Sequence, residues 1–399
     1  MGEGAPTRSR TRSTMLVGRR SGTGVYNRRL FPRRTIRSRR GTEVSTASPP
    51  VLFMATAVWL LGIARPIAAE SGESPSIPTQ SVQSDRERSE ALVAEGDDWY
   101  GKGEWDKAIA AYDEAVRLDP ENAVAFKNRG ATRNKTKEFD LAIADFEHAI
   151  RLKPGFAAAF LFRGINRHLR GDVERAMVDY DEAIRLNPKF AAAYYQRGKA
   201  HYLRGDAEKA GADYDEAIRL GKADPHVIAD AHYLRALLRT DRGDPEGAIA
   251  DYGEAIRLWP EYFPAWSNRG FVHLGLGEWE AAERDWKETL RIRPDDHITI
   301  GNLATLRAAC PNDRFRNGQE AIDLARKACE ATDWKDAGLV GTLAAAYAET
   351  GDFKAAREWQ IKAIGLAAPD AKPRFRQSLE TILNHQPLRL EPQLQRKPV

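Results

Sequence analysis

The sequence offers few side chains suited to catalysis. Cys310 and Cys329 are the only cysteines, and they could form a disulfide or remain separate thiols. The eight histidines are scattered, and neither HExxH, CxxC nor a P-loop occurs. Glycine clusters at Gly101 and Gly275 coincide with the turns of a repeat, which explains them without a phosphate site. The sequence predicts no enzyme, no metal and no cofactor; chemistry from a loop at residues 312–317 is the weakest alternative.

Arginine and aspartate recur together at a fixed spacing. In five places an arginine is followed 16 residues later by an aspartate, and two antiparallel helices joined by a short turn would bring both side chains face to face. We expect a structural ion pair in each hairpin. A second set, spaced i,i+4, predicts pairs on the solvent face. The first set is Arg129–Asp145, Arg163–Asp179, Arg197–Asp213, Arg235–Asp251 and Arg269–Asp285; the second is Asp113–Arg117, Glu147–Arg151, Asp181–Arg185 and Asp215–Arg219.

These pairs belong to a repeated unit of 34 residues. The string AMVDYDEAIRLNP at residues 176–188 returns as AIADFEHAIRLKP at 142–154 and as AIADYGEAIRLWP at 248–260. Positions in a unit are numbered from Ser89, which is position 1 of the first unit. In each unit the apolar positions 4, 8 and 11 fall on one stripe of a first helix, and the apolar positions 20, 24 and 27 fall on one stripe of a second helix. A glycine and an acid, such as Gly171 and Asp172, separate the helices and favour a left-handed turn followed by a helix N-terminus. Position 8 is glycine in five units, which allows close helix approach: Gly96, Gly130, Gly164, Gly198 and Gly270.

The pattern resembles the tetratricopeptide repeat family over residues 89–366. That resemblance implies an all-α fold, a right-handed α-solenoid of about eight helix–turn–helix units with a C-terminal capping helix. The seventh unit departs from the pattern, because its first helix should end at Cys310 and a loop at 312–317 should follow. Helix geometry then separates Cys310 from Cys329 by roughly 15 Å, so two buried thiols are favoured over a disulfide. His201 and His273 stand at position 11, where packing or pairing is a better explanation than ligand binding.

The resemblance also implies a concave groove lined by the first helix of each unit. The family's carboxylate clamp needs lysine and asparagine at fixed positions, and only Lys127 and Asn128 fit, so we do not expect a clamp. The predicted groove is aromatic and aliphatic, which suits an extended peptide or an amphipathic helix with apolar anchors. Packing between units is the alternative role of these residues. The groove residues are Leu161, Ile165, His168, Tyr195, Lys199, Tyr202, Tyr233, Leu237, Phe271 and Leu274.

The start of the chain has a different composition. Residues 1–50 contain 12 arginines and two glutamates, a formal charge of +10, and are predicted to be a disordered basic leader. Residues 51–69 hold a 14-residue apolar run and then small residues, the layout of an export signal. The run is short for a membrane span, so we expect a cleaved signal and an exported protein; an uncleaved anchor or a cytoplasmic protein are the alternatives. A Ser/Pro-rich linker is predicted at 70–88, and a capping helix with a disordered tail at 367–399.

Charge and repeats together narrow the function. With the leader at +10 and Arg65 adding one, the total of +4 leaves residues 70–399 at −7, which argues against binding nucleic acid. The sequence therefore favours a non-catalytic scaffold or adaptor whose partners are protein or peptide segments. The alternative is a homo-oligomeric scaffold assembled through the terminal repeats. Membrane contact is expected only through residues 51–69.

Overall fold

Seventeen α-helices follow one another in the computed structural model, which describes residues 33–37, 43–47, 80–221 and 223–394. The described residues form two units, one ending at Arg235 and the other beginning at Ala236, with the boundary inside a helix. The signal-like segment 51–69 and most of the leader lie outside the described residues. Within the described ranges no helix is both long enough and apolar enough to cross a bilayer.

The unit ending at Arg235 consists mainly of helical hairpins. Consecutive helices pack as pairs, and the first helices of successive pairs also touch one another. This arrangement is the expected stacking of repeats. The helices are α1 (Gln80–Gly101), α2 (Trp105–Leu118), α3 (Ala123–Lys135), α4 (Phe139–Leu152), α5 (Ala157–Leu169), α6 (Val173–Leu186), α7 (Ala191–Arg204), α8 (Ala207–Leu220) and the first part of α9 (Pro225–Asp241).

The unit beginning at Ala236 continues the series and ends with a single helix. A short 3-10 turn, Asp313–Phe315, occupies the predicted loop of the seventh repeat. The last helix buries Phe375 and Ile382 against the final hairpin, which confirms the capping helix. The helices are α10 (Pro245–Leu258), α11 (Phe263–Leu276), α12 (Trp279–Ile292), α13 (His297–Ala309), α14 (Gly318–Glu330), α15 (Ala337–Glu349), α16 (Phe353–Leu366) and α17 (Lys372–Leu383).

Glycine places the two helices of a hairpin in close contact. A Cβ added at Gly198 would lie 2.7 Å from Cε1 of Tyr214, and one at Gly164 would lie 2.7 Å from Cε1 of Tyr180. The turn after the first helix also needs glycine: Gly205 has a φ of 83°. In the second repeat Lys137 takes this position with a φ of 65°, a conformation that costs a residue with a side chain.

Three segments differ from the sequence-based prediction. Helix α1 begins at Gln80, inside the predicted linker, because no proline or glycine interrupts residues 80–88. Strands β1 (Arg33–Arg37) and β2 (Glu43–Ala47) pair antiparallel within the leader, where no folded element is predicted. Their β-branched residues favour an extended backbone. The tail was expected to be disordered from Pro387, but its backbone forms hydrogen bonds with α11 and α13 as far as Leu394.

Candidate peptide-binding groove

In the unit ending at Arg235, polar side chains connect the first helices of successive repeats. Asn128 Nδ2 donates to Asp97 Oδ1 over 2.7 Å, joining α3 to α1. Asn134 Nδ2 donates to Asn166 Oδ1 over 2.9 Å, joining α5 to α3. The hydroxyl of Tyr195 donates to Asp230, joining α9 to α7. These contacts place the first helices side by side, so that residues from several repeats share one surface.

Seven of the predicted groove residues lie on these helices in the unit ending at Arg235, and the other three, Leu237, Phe271 and Leu274, lie in the unit beginning at Ala236. Most of the ten are less exposed than an open groove requires. Seven of the ten are buried and three are half-buried. The cause is the contact between neighbouring first helices, which the sequence analysis gives as the alternative role. Whether the same side chains bind a peptide stays a prediction. The buried residues are Leu161, Ile165, His168, Tyr195, Lys199, Tyr233 and Leu237; the half-buried ones are Tyr202, Phe271 and Leu274.

Three of the predicted residues form a polar cluster with Asp230. Lys199 Nζ lies 5.1 Å from the ring centroid of Tyr195, whose hydroxyl is bound to Asp230. Burial lowers the pKa of Lys199, and the charge of Asp230 opposes that shift. Burial also lowers the pKa of His168 to about 4, and the positive charge of Lys199 adds to the effect. His168 is therefore neutral at pH 7.

Lys127 and Asn128 lie on α3, near Asp97 of α1. Burial lowers the pKa of Lys127 to about 8, although Asp97 favours its charged form. The amide nitrogen of Asn128 is bound to Asp97, which also accepts the hydroxyl hydrogen of Tyr112. Desolvation raises the pKa of Asp97. Lys127 and Asn128, which partly match a carboxylate clamp, thus interact with Asp97 of the preceding repeat.

The arginine and aspartate pairs lie behind this surface, between the two helices of each hairpin. They confirm the predicted spacing in four repeats. In the fifth the structure shows Asp251 with Arg239 at 2.9 Å, and the Arg235–Asp251 pair stays a prediction. The four confirmed pairs are Arg129–Asp145 at 2.6 Å, Arg163–Asp179 at 2.7 Å, Arg197–Asp213 at 2.7 Å and Arg269–Asp285 at 2.8 Å.

A second basic residue approaches the same buried carboxylate. Arg167 Nη1 lies 2.9 Å from Asp179 Oδ2, while His201 Nε2 is 3.9 Å from Asp213 Oδ2. His273 Nδ1 lies 2.6 Å from Glu278 Oε2, and its Nε2 lies 3.8 Å from Asp285. His273 therefore pairs with a carboxylate, whereas His201 is buried near Asp213 without a hydrogen bond to it.

The prediction of i,i+4 pairs on the second helix is wrong. Arg185 instead binds Glu182, three residues earlier, at 2.6 Å. Asp181 is thereby left for the next repeat, where Arg197 Nη1 reaches its Oδ1 at 2.8 Å. Asp113 and Arg129 repeat the arrangement at 2.7 Å. One arginine thus links its own hairpin to the preceding one, and the spacing within a single helix could not reveal this.

Both cysteines are buried and reduced. Cys310 ends α13 and Cys329 lies near the end of α14, which agrees with the favoured prediction of two separate thiols. Burial raises the pKa of both thiols, that of Cys329 to about 12. Neither is an activated nucleophile. Among the described residues no group of three or more His, Cys, Asp or Glu side chains is arranged to hold a metal ion.

Neither the role of Asp230 nor the docking of the tail was predicted from the sequence. Asp230 is an acid inside the apolar string HVIADAHYL, and a buried acid in such a string needs a partner. The tail reads LRLEPQL from Leu388, and the alternation of Leu388 and Leu390 after a proline is a short strand-like signal. The acid in an apolar string and the alternating leucines can be interpreted only when the surface that each of them contacts is known.

Comparison with known proteins identifies the repeats. Models described as "TPR repeat" match residues 96–136, 167–205 and 236–277, and models described as "Tetratricopeptide repeat" match 191–223 and 338–370. The chain is a tetratricopeptide repeat protein. Its helices form an all-α solenoid of such units. No curated protein matches the sequence.

Three solved structures resemble the chain in fold. PilF of Pseudomonas aeruginosa is 16% identical with a TM-score of 0.50, over 54% of this chain and 96% of its own. A tetratricopeptide repeat protein of Parabacteroides merdae is 16% identical with a TM-score of 0.41, over 75% of this chain and 100% of its own. YrrB, described as having an unusual peptide-binding site, is 18% identical with a TM-score of 0.40, over 48% and 97%. At these identities the likeness concerns the fold alone.

Proposed function

We propose that this tetratricopeptide repeat protein is a non-catalytic adaptor that binds a peptide or helix through apolar anchors on the first helices of its repeats. The observation that carries the proposal is the alignment of α3, α5 and α7, whose side chains from successive repeats share one surface. Tyr202 is half-buried on that surface. An aromatic side chain with part of its area exposed is a common anchor for a bound segment.

The composition of the surface agrees with this function. Leu161 and Ile165 on α5 and Tyr195 on α7 form an apolar layer beneath that surface, and the amino group of Lys199 lies over the ring of Tyr195. An apolar strip with a few polar groups binds extended or helical peptides, with the polar groups selecting among them.

A peptide-display selection on the full chain tests the proposal. We expect enriched peptides to carry two or more large apolar residues, and the variant Tyr202→Asp to bind them at least about ten-fold more weakly, since a buried unpaired charge costs more than 1.4 kcal/mol. Val178→Asp is the matched control, because Val178 is 66% exposed on the second helix of its hairpin. An equal loss of peptide affinity in both variants, or a selection that enriches no peptide, would contradict the proposed groove.

We also propose that the protein is exported through residues 51–69. The support is the order of basic, apolar and small residues in the sequence. Intact-mass measurement of a C-terminally tagged chain from the exported fraction should give a species beginning near Glu70. An uncut chain in the same fraction would indicate an anchor, and an uncut chain in the cytosol would reject export.

A further inference from the structure

The end of the chain runs back over the unit that begins at Ala236. After α17 the backbone turns at His385, which has a φ of 53°. The amide of Leu390 donates to the carbonyl of Ala309 over 2.7 Å. The amides of Gln393 and Leu394 donate to the carbonyl of Gly275 over 2.8 and 2.9 Å. Both acceptors lie in the last turn of a helix, where carbonyl groups have no partner within the helix.

Leucine side chains anchor this segment. Leu388 is 1% exposed and Leu390 7% exposed, and both belong to a cluster with Ala309, Ala348 and Ile382. In an extended backbone, residues two apart point to the same side, which explains why both are buried. The residue between them, Arg389, instead reaches a carboxylate: its Nη1 lies 2.6 Å from Glu349 Oε2.

The surface beneath the segment is shaped to admit it. A Cβ at Gly275 would lie 2.7 Å from Cδ1 of Leu394, and one at Gly277 would lie 3.1 Å from Cγ of Pro392. Glycine at both positions therefore gives the segment its room. Leu274, a predicted groove residue, packs against the same cluster as Leu388 and Leu390. Residues 388–394 thus occupy a peptide-sized site at the ends of α11, α13 and α15.

We propose that this site is a second peptide-binding surface, that residues 388–394 occupy it as an internal ligand, and that a partner protein displaces them with an extended segment of the same chemistry. That segment has leucines at the spacing of Leu388, Leu390 and Leu394 and a basic residue at the place of Arg389. The inference goes beyond the proposed surface of α3, α5 and α7, because this site lies in the other unit and shares only Leu274 with the predicted groove residues.

The contacts explain why the internal ligand can be displaced. It is held by three backbone hydrogen bonds, two buried leucines and one ion pair. A short flexible tether gives an effective concentration on the order of 1 mM. A partner segment with the same contacts and a neighbouring surface of its own can therefore compete.

The test measures binding of a labelled peptide with the sequence of residues 386–394 to the full chain by fluorescence polarisation. The double variant Leu388→Ser/Leu390→Ser frees the site, and Leu383→Ser is the matched control, since Leu383 is 52% exposed on α17. We expect the freed chain to bind at least about ten-fold more tightly than wild type or control, because the tethered competitor is gone. A peptide with serine at both leucines should not bind.

Several outcomes would overturn the proposal. If the freed chain keeps the circular dichroism spectrum of the wild type but binds no peptide, the tail is a structural part of the fold and the site is not a binding surface. If the double variant unfolds, Arg389→Glu frees the tail by repulsion from Glu349, and failure of the peptide to bind this variant has the same meaning. A wild-type dimer in sedimentation that the double variant abolishes would assign the site to a second copy. Peptide binding that survives when Tyr202→Asp is added to the freed chain would instead support the proposal, because it would show that this site is separate from the groove.

Discussion

The middle repeats and the last repeat hold their two helices together by different means. In the middle, a buried carboxylate such as Asp179 lies between Arg163 and Arg167. In the last hairpin, the corresponding residues are Leu343, which is fully buried, and Trp359, which packs against the same apolar cluster. Both solutions fill the same space between antiparallel helices, so the fold does not require the ions.

The difference teaches what the ions contribute. A buried ion pair gains little net stability over an apolar pair of similar volume, but removal of one partner is costly. It therefore penalises any register that fails to pair the charges. A slip of the two helices of a middle hairpin by one turn would leave both charges buried and unpaired, whereas the last hairpin has distinct neighbours in α17 and the tail. We infer that the ion pairs fix the register within each middle hairpin.

The largest expected effect comes from removing one ion. Arg197→Met leaves Asp213, 7% exposed in its side chain, with only His201 at 3.9 Å. We expect a loss of about 3 kcal/mol in the free energy of unfolding, measured by urea denaturation. Arg163→Met should cost less, because Arg167 remains on Asp179. The double variant Arg197→Met/Asp213→Leu should recover much of the loss, and strictly additive effects would contradict the comparison.

A smaller effect is expected from crowding a hairpin that contains the ions. Gly198→Ala places a methyl group against the ring of Tyr214, and we expect a loss of about 2 kcal/mol in the free energy of unfolding. The matched control is Gly365→Ala in α16, where no atom lies within 4 Å of the added carbon. That change should stabilise the helix by about 0.5 to 1 kcal/mol. Similar losses at both sites would show that packing in the two regions is alike.

Acid should weaken the unit ending at Arg235 through His168. Burial holds the pKa of His168 at about 4, below the unfolded value of about 6.5. Because the unfolded chain binds the proton more readily, this contribution is complete above pH 6.5 and is lost as the pH falls towards 4. We expect about 2 kcal/mol less stability at pH 5 than at pH 7. His168→Gln should remove that step in urea denaturation; an unchanged step would assign it to other groups.

The smallest effect concerns a turn. Lys137 adopts a φ of 65° at the turn position where six other repeats have glycine. Lys137→Gly should raise the free energy of unfolding by about 0.5 to 1 kcal/mol, since the strain in the native turn outweighs the added freedom of the unfolded chain. Gly205→Lys is the reciprocal variant and should lower stability by a similar amount. Thermal denaturation of both variants measures the difference.

Features that recur in every repeat could be predicted from the sequence, whereas contacts that occur only once could not. Period, helix stripes and the spacing of Arg129 and Asp145 recur, so each observation supports the others and the hairpins follow. The partner of Asp230 and the docking of Leu390 depend on contacts between segments that share no pattern. The groove residues were predicted only in part. Their helices were predicted correctly, but their burial by neighbouring repeats depends on side-chain packing that the periodicity does not specify.

The arginines that bridge two hairpins have a consequence for how the array unfolds. Arg197 contacts Asp213 within its own repeat and the exposed Asp181 of the preceding one. In a one-dimensional array, cooperativity is set by the coupling between nearest neighbours. Here part of that coupling is Coulombic and partly exposed, so salt screens it. Higher ionic strength should therefore reduce the number of repeats that unfold together, while the buried ion pair within each hairpin is retained.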